Sequence, residues 1–261
     1  VKRVLIGTPI HSGAHPAYIT SLDETVALLP RAGWAAKPLI QTGSLVTLLR
    51  NGIAAEFLAG KADVLLWIDA DEGWRAGDVV SLLEATSQLP IVGGVYRKKL
   101  IHLREFDWKA IAVAAKAGVA PELLQFVGQD LALGFNPEDI DGERGYVGPT
   151  KTLYGRIFVR AAHVGTGFLA VTRNALERIA TFDDPKLAPE CSGGMRAFFD
   201  TGVADRKFHG EDVLFCRLAR KAGLEVWLDT ETLVDHYGPI GVTGDLRGER
   251  LHEYAKRQAR S

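Results

Sequence analysis

Five apolar residues, Val64-Leu65-Leu66-Trp67-Ile68, run unbroken into Asp69-Ala70-Asp71-Glu72-Gly73. No other stretch limits the choice of fold so sharply. A short continuous apolar run closed by a turn signal reads as a strand buried on both faces. Asp69 and Asp71 then stand where that strand leaves the sheet at its carboxyl end, which is where open α/β sheets hold their ligands. Two carboxylates so close repel each other, but alternate positions at a turn can converge on a hard cation, which takes oxygen ligands. Taken alone, an Asp-x-Asp after a strand is equally a polar turn capping the next helix.

The flanking segments supply the rest of a layered sheet. Residues 3–7 predict a first strand, running into the turn-rich loop 8–13. A helix over 17–29 ends at Pro30 and Gly33. A second strand follows over 34–40, then a helix over 44–58 with Ser44 as N-cap and Leu45, Leu48, Leu49, Ile53 and Phe57 at helical spacing. After the central strand come a helix over 78–85 and a strand over 91–96. This β-α-β-α-β-α-β order predicts an α/β fold with a doubly wound, mostly parallel sheet.

Beyond Tyr96 the rhythm changes. Arg97-Lys98-Lys99 reads as a basic turn, 107–117 as an amphipathic helix and 123–149 as irregular chain. Residues 156–161 and 164–172 look like two strands paired with each other, and Gly165-Thr166-Gly167 asks for a close backbone approach or an unusual turn. Residues 174–180 form a short helix. The stretch 181–208, with Pro185, Pro189 and Gly193-Gly194, reads as a long loop and a candidate lid. A helix over 211–222, a strand over 225–229, a turn over 234–238 and a C-terminal helix over 251–260 complete the chain.

Composition narrows the function more than the fold. With 47% apolar and 24% charged residues the chain is an ordinary globular one, and its net charge of −1 provides no global field to recruit nucleic acid or an anionic membrane. Its uncharged apolar runs fall short of the roughly 20 residues a membrane helix needs. The first residues read as a strand and not as a signal peptide. Cys191 and Cys216 lack metal-ligand spacing and suit a reduced, cytoplasmic protein. No Gly-x-Gly-x-x-Gly follows the first strand, and neither a P-loop nor a Gly-x-Ser-x-Gly elbow occurs. What remains is the acidic turn, a second acidic pair at Glu211-Asp212, and His236 ahead of a glycine. Glu211 and Asp212 suit a helix N-terminus electrostatically, and equally suit a general base at a cleft mouth. His236 would complete a site for Mn²⁺, which accepts imidazole beside oxygens.

These pieces, in this order, resemble a family. Arg50-Asn51, a helix, then a strand ending Ile-Asp-Ala-Asp is similar to the Arg-Asn … Leu-Asp-Ala-Asp core of family 2-type glycosyltransferases of the GT-A fold. Gly165-Thr166-Gly167-Phe168-Leu169-Ala170-Val171 is similar to the strand before the acceptor helix, Gly210-Glu211-Asp212 to the motif opening that helix, and Asp235-His236-Tyr237-Gly238 to the closing histidine. Gly93-Gly94-Val95-Tyr96-Arg97-Lys98-Lys99 resembles a segment of bacterial and phage members, with Arg97 where proline is usual.

The resemblance implies one catalytic domain over 1–245, with a nucleotide-sugar-binding half to residue 100, an acceptor half after it, and a helical tail over 246–261. It implies metal ligands Asp71 and His236, with Asp69 reaching the ribose or a water on the metal, and Mn²⁺ or Mg²⁺ as cofactor. Thr8, Pro9, Arg50, Asp69, Tyr96, Gly165, Thr166 and Gly167 would border the nucleoside diphosphate sugar, a UDP-sugar first. Asp212, then Glu211, would be the catalytic base, with inversion if attack comes opposite the leaving group. The acceptor stays open among a glycan, a lipid-linked sugar and, as in phage enzymes that modify hydroxymethylated pyrimidines, DNA. Arg97, Lys98, Lys99, Arg104, Arg247, Arg250, Lys256 and Arg257 would be the phosphate contacts in the DNA case. Two rivals remain: a nucleotidyltransferase, which would normally carry a glycine-rich basic loop after the first strand, and a catalytically silent nucleotide-sugar-binding module.

Overall fold

The run Val64–Ile68 is buried at all five positions and lies inside the sheet with a strand on either side. A computed structural model of the chain describes residues 1–101, 129–131, 133–141, 145–182, 190–191, 195–204, 206–238 and 242–243. Ten of its strands form one sheet: Lys2–Ile10 (β1), Trp34–Thr42 (β2), Val64–Ile68 (β3), Glu72–Trp74 (β4), Ile91–Val95 (β5), Thr150–Leu153 (β6), Arg156–Ala161 (β7), Phe168–Thr172 (β8), Val226–His236 (β9) and Val242–Thr243 (β10). The order across it is β6-β7-β9-β5-β8-β3-β1-β2, with β4 and β10 both pairing to β9. Among the described residues five α-helices flank it: Pro16–Leu28 (α1), Val46–Ala59 (α2), Ala76–Ala85 (α3), Arg173–Thr181 (α4) and Glu211–Lys221 (α5).

Alternation along β3 divides the core. Val64, Leu66 and Ile68 join Tyr18 of α1 and Val79, Leu82 and Leu83 of α3 on one face. Leu65 and Trp67 join Ile53 and Phe57 of α2, Leu176 of α4, and Phe215 and Leu218 of α5 on the other. The period of two in a strand is what sends neighbours to opposite layers. Each fully buried large aliphatic contributes roughly 1.5–3 kcal/mol, so a strand covered on both sides is a strong organiser.

The α/β class is as expected; the mostly parallel sheet is not. β1 pairs in parallel with β2 and β3, and β9 with β5, but β8 lies antiparallel between β3 and β5. The sheet is therefore mixed. The expected pairing of 156–161 with 164–172 does not form. Phe168, Leu169, Ala170 and Val171 are all fully buried, and a run apolar on both faces is driven to the centre. β7 carries Arg156 and Arg160 and takes a place nearer the edge, between β6 and β9.

Other expectations shift as well. The strand at 225–229 and the turn at 234–238 are one element, β9, whose register slips between Leu228 and Leu233. Asp229 and Thr232 make that slip look like a turn in sequence, yet both are buried and bonded to Arg156. β1 extends past Gly7 to Ile10. Helix α2 begins at Val46 with Leu45 at its cap position and no side-chain cap bond, so Ser44 is not its N-cap. Arg97–Ile101 is a strand paired with Gln129–Leu131, not a turn. Within 181–208, Glu190–Cys191 pairs with Met195–Arg196 and Gly202–Ala204 with Lys207–His209. Between those pairs Phe198 and Phe199 are buried, and the Asn51 amide clamps Phe199 from both sides: Nδ2 donates to its carbonyl at 2.8 Å and Oδ1 accepts its N–H at 2.9 Å. That part of the expected lid is tied to α2. The helices expected at 107–117 and 251–260, with Arg104, Arg247, Arg250, Lys256 and Arg257, lie outside the described residues. Among the described residues no helix is long and apolar enough to cross a membrane.

Candidate functional site

Register alone brings the acidic turn and the late histidine together. β4 runs antiparallel to β9 with Glu72 opposite His236, Gly73 opposite Asp235 and Trp74 opposite Val234. Tyr237 N–H extends the ladder by one bond to the Asp71 carbonyl, at 2.8 Å. Asp71 is thereby placed beside the histidine, with Oδ1 3.4 Å from His236 Nε2.

Asp69 is held from two directions. Its backbone N–H donates to the Gly167 carbonyl at 2.9 Å, and its Oδ1 accepts from Arg50 Nη2 at 2.7 Å. Arg50 reaches the turn from inside α2 and is only 2% exposed. Its Nη1 donates to the Thr166 carbonyl at 3.2 Å, while its Nε lies 3.6 Å from Glu211 Oε1 and makes no hydrogen bond. Burial pulls the guanidinium's pKa down, but Asp69 and Glu211 pull it up by more in sum, and it stays charged.

Glu211 and Asp212 open α5 behind Gly210. Two acids in a first turn suit the helix dipole. Burial raises the Glu211 carboxyl above the usual range; Arg50 opposes that, and Asp212 and Asp69 add to it. Asp212 Oδ1 accepts the N–H of Val213 at 2.7 Å.

Tyr96 ties these pieces together. Its hydroxyl accepts the Gly167 N–H at 2.9 Å, and its ring meets the His236 ring edge-on with centroids 5.3 Å apart. A Cβ at Gly165 would collide with the Tyr96 hydroxyl; one at Gly167 would collide with Glu72 Oε1 and come within 3.0 Å of Asp69 Oδ2. The Gly-x-Gly is therefore a requirement of space, not of backbone angle. Burial, then Glu72 and Asp69, push the phenol's pKa well up, so Tyr96 stays neutral.

A cleft of about 240 Å³ adjoins this cluster, lined by Pro9, His11, Ser12 and Gly13 after β1, by Ser44, Val46 and Leu49 at α2, and by Asp69, Ala70 and Asp71. Of the expected nucleotide-sugar contacts, Pro9 and Asp69 line it. Thr8 does not: it is fully buried, its hydroxyl bonded to Tyr18 Oη at 2.7 Å. Tyr96, at 8% exposure, and Thr166, at 1%, support the acidic groups from beneath. Gly165, Thr166, Gly167 and Arg50 act likewise as framework.

Two features went unread in the sequence. Glu72, next to the Asp-x-Asp, is fully buried, whereas a glutamate in a turn is ordinarily exposed, so nothing local marked it. His11, Ser12 and Ser44 line the cleft, and only the turn-rich composition of 8–13 hinted at that.

Donor chemistry decides whether a cation fits. Among the described residues no three His, Cys, Asp or Glu side chains form a metal-binding group by themselves. Asp71 and His236 present one oxygen and one nitrogen at a separation near the roughly 3 Å between adjacent ligands of an octahedral ion. Ions such as Mg²⁺ commonly take few protein ligands and complete their shell with water and substrate phosphates. The separation of this pair suits two ligands of one such ion.

No protein-family model matches the chain, and no curated protein matches it in sequence. Among solved structures, the crystal structure of A197 from STIV is similar with a TM-score of 0.48 at 13% identity, covering 94% of this chain and 95% of that one. A likeness at that level fixes neither fold family nor activity.

Proposed function

We propose that the protein is a GT-A-type transferase that moves a sugar from a nucleoside diphosphate sugar, a UDP-sugar first, to an acceptor hydroxyl with Mn²⁺ or Mg²⁺ as cofactor. One observation carries this reading: Asp71, which lines a cleft, adjoins His236, and Glu211 lies across Arg50 from Asp69 of the same Asp-x-Asp. The acids Asp69, Asp71, Glu72, Glu211 and Asp212 outnumber the basic groups Arg50 and His236 there. Such an excess favours a bound cation.

Asp71 and His236 would hold that cation, which would supply Lewis-acid neutralisation of the departing diphosphate. Pro9, His11 and Ser44 would border the nucleoside. Arg50 fixes Asp69 toward the cleft through its 2.7 Å bond. Asp212 would take the proton from the acceptor hydroxyl as its oxygen bonds to the anomeric carbon and the bond to the diphosphate oxygen breaks. Attack from the face opposite the leaving group inverts that centre.

A thermal-shift series of nucleoside diphosphates with and without Mn²⁺ or Mg²⁺ tests the reading. A ligand that binds only the folded state raises the melting temperature. The expected result is a metal-dependent rise that Asp71→Asn abolishes. A rise that ignores the metal, or none with any nucleotide, overturns it.

A further inference from the structure

The backbone of the acidic turn is held by two residues that also hold each other. His15 N–H donates to the Ala70 carbonyl at 2.7 Å, and Tyr237 N–H donates to the Asp71 carbonyl at 2.8 Å. The rings of the same two residues stack, with centroids 4.1 Å apart and planes 11° from parallel. One bond falls on Asp71 itself, and Tyr237 is the chain neighbour of His236. The contacts therefore close a circuit through both halves of the candidate cation pair.

Local structure sets each ring in place. Pro16 opens α1 and His15 caps it, with Nδ1 accepting the Ala17 N–H at 3.2 Å. That bond fixes the imidazole. Tyr237 follows directly on β9, and its ring lies against Gly73 of β4: a Cβ there would stand 3.0 Å from Cε2 and 3.6 Å from the hydroxyl oxygen. Glycine at 73 leaves the space that the phenol occupies. Both stacked residues are half-buried.

Each backbone bond lies at an end that opens easily. The Tyr237 bond stands one step beyond Glu72 and His236, the last paired residues of the β4–β9 ladder, and the ends of elements fray first. His15 ends the loop after β1, whose His11, Ser12 and Gly13 line the cleft. A site whose ligands are aligned for only part of the time binds more weakly by that fraction. Once the two ends are joined through their rings, opening either one costs the stack as well.

We propose that the His15–Tyr237 stack is a positioning device for the cation pair. It holds the backbone at Ala70-Asp71 and at His236-Tyr237, so that Asp71 Oδ1 and His236 Nε2 keep their 3.4 Å separation. His15 and Tyr237 act through the turn and are not ligands themselves. The cation rests on the function proposed above; the hold on the turn does not.

The test uses the full chain and substitutions that spare the surroundings. His15→Asn deletes a ring and keeps a capping oxygen for α1. Tyr237→Leu deletes the other ring, and Tyr237→Phe keeps it as the conservative control. Amide hydrogen exchange at positions 15 and 237, corrected for the intrinsic rate of each residue type, should quicken about tenfold in the two ring-deleted variants, the scale of one stacked pair. Tyr237→Phe and the β3 amides should match the parent. Mn²⁺ alone, titrated without nucleotide and followed by electron paramagnetic resonance, should bind about tenfold more weakly to the same two variants, equally well to Tyr237→Phe, and not to Asp71→Asn. A merely structural role would lower the melting temperature and leave Mn²⁺ affinity where it was. Exchange unchanged by either ring deletion, Mn²⁺ affinity indifferent to both, or no Mn²⁺ binding by the parent overturns the proposal. Stack-dependent Mn²⁺ binding without any nucleotide thermal shift leaves the positioning role standing and removes the donor reading alone.

Discussion

Two buried or half-buried arginines are each set among acids in this protein, and they are used differently. Arg156 spends its whole guanidinium on close partners: Nε to Asp229 Oδ2 at 2.9 Å, Nη1 to Asp78 Oδ1 at 2.9 Å and Nη2 to Thr232 Oγ1 at 3.1 Å. Asp229 in turn accepts the Thr232 hydroxyl at 2.7 Å and the Glu231 N–H at 3.0 Å. Arg50 has one short ionic bond, one carbonyl, and an Nε left 3.6 Å from Glu211 without a hydrogen bond. The first cluster is closed and fixes the slipped register of β9. The second is left incomplete at its rim, where Asp69 and Glu211 remain 26% and 21% exposed. A saturated polar network rigidifies a fold. An unsaturated one beside a cleft is a place for a ligand.

The sharpest way to separate the two clusters is at Asp212. If the open cluster is catalytic, Asp212→Asn should lower the release of nucleoside diphosphate by about 10²–10⁴-fold, the usual share of a general base. The nucleotide–Mn²⁺ thermal shift should survive. Turnover unchanged by this substitution would leave the cluster a binding site only.

Next in size is the arginine pair itself. Arg156→Met strands Asp229 and Asp78, and should cost roughly 3–5 kcal/mol in denaturant unfolding while leaving nucleotide binding by the folded fraction intact. Arg50→Met should cost less stability, because its acids reach solvent, and should lose the nucleotide shift. The reverse pattern would break the comparison. Asn51→Ala comes third: it orphans a buried N–H and a buried carbonyl of Phe199, and a loss of about 2 kcal/mol is expected. Faster proteolysis within 195–204 would accompany it, since that amide helps hold the segment to α2.

These residues also show what a sequence discloses. The run at 64–68 declares its burial because apolar periodicity is local, and the carboxyl-end position of Asp69 and Asp71 follows from it. His236 and Glu211-Asp212 could be singled out as chemical candidates but not placed, because the β4–β9 ladder that seats the histidine is a pairing across 164 residues (236 minus 72). β8 is recognisable as a strand while its neighbours are not, for the same reason: local pattern gives an element, while pairing is decided by which faces must be covered. β9 looks like two elements in sequence because Asp229, Thr230, Glu231 and Thr232 resemble a turn, whereas in the fold Asp229 and Thr232 are buried against Arg156. Thr8 shows the opposite error. It sits at the end of the strand expected from its apolar residues, but the strand continues, and its hydroxyl is turned inward to Tyr18.

The smallest effect concerns protons. Burial raises the Glu211 carboxyl, with Asp212 and Asp69 adding to the rise and Arg50 opposing it; burial raises Asp229 too, against Arg156 and its hydrogen bonds. An acid with a raised folded-state pKa binds more protons folded than unfolded between the two values, so the stability it lends at low pH is lost as pH climbs through the folded value. Melting temperature measured across roughly pH 3.5 to 7, from below to above the ordinary carboxylate range, should therefore carry a downward contribution from both residues. Glu211→Gln removes one titrating group and keeps the shape. Its melting curve should decline less steeply with pH than the parent's, while Asp229 sustains the remainder. An identical slope in both proteins would mean that water already reaches Glu211 freely, and the open cluster would then be an ordinary solvated surface instead of a partly dry pocket.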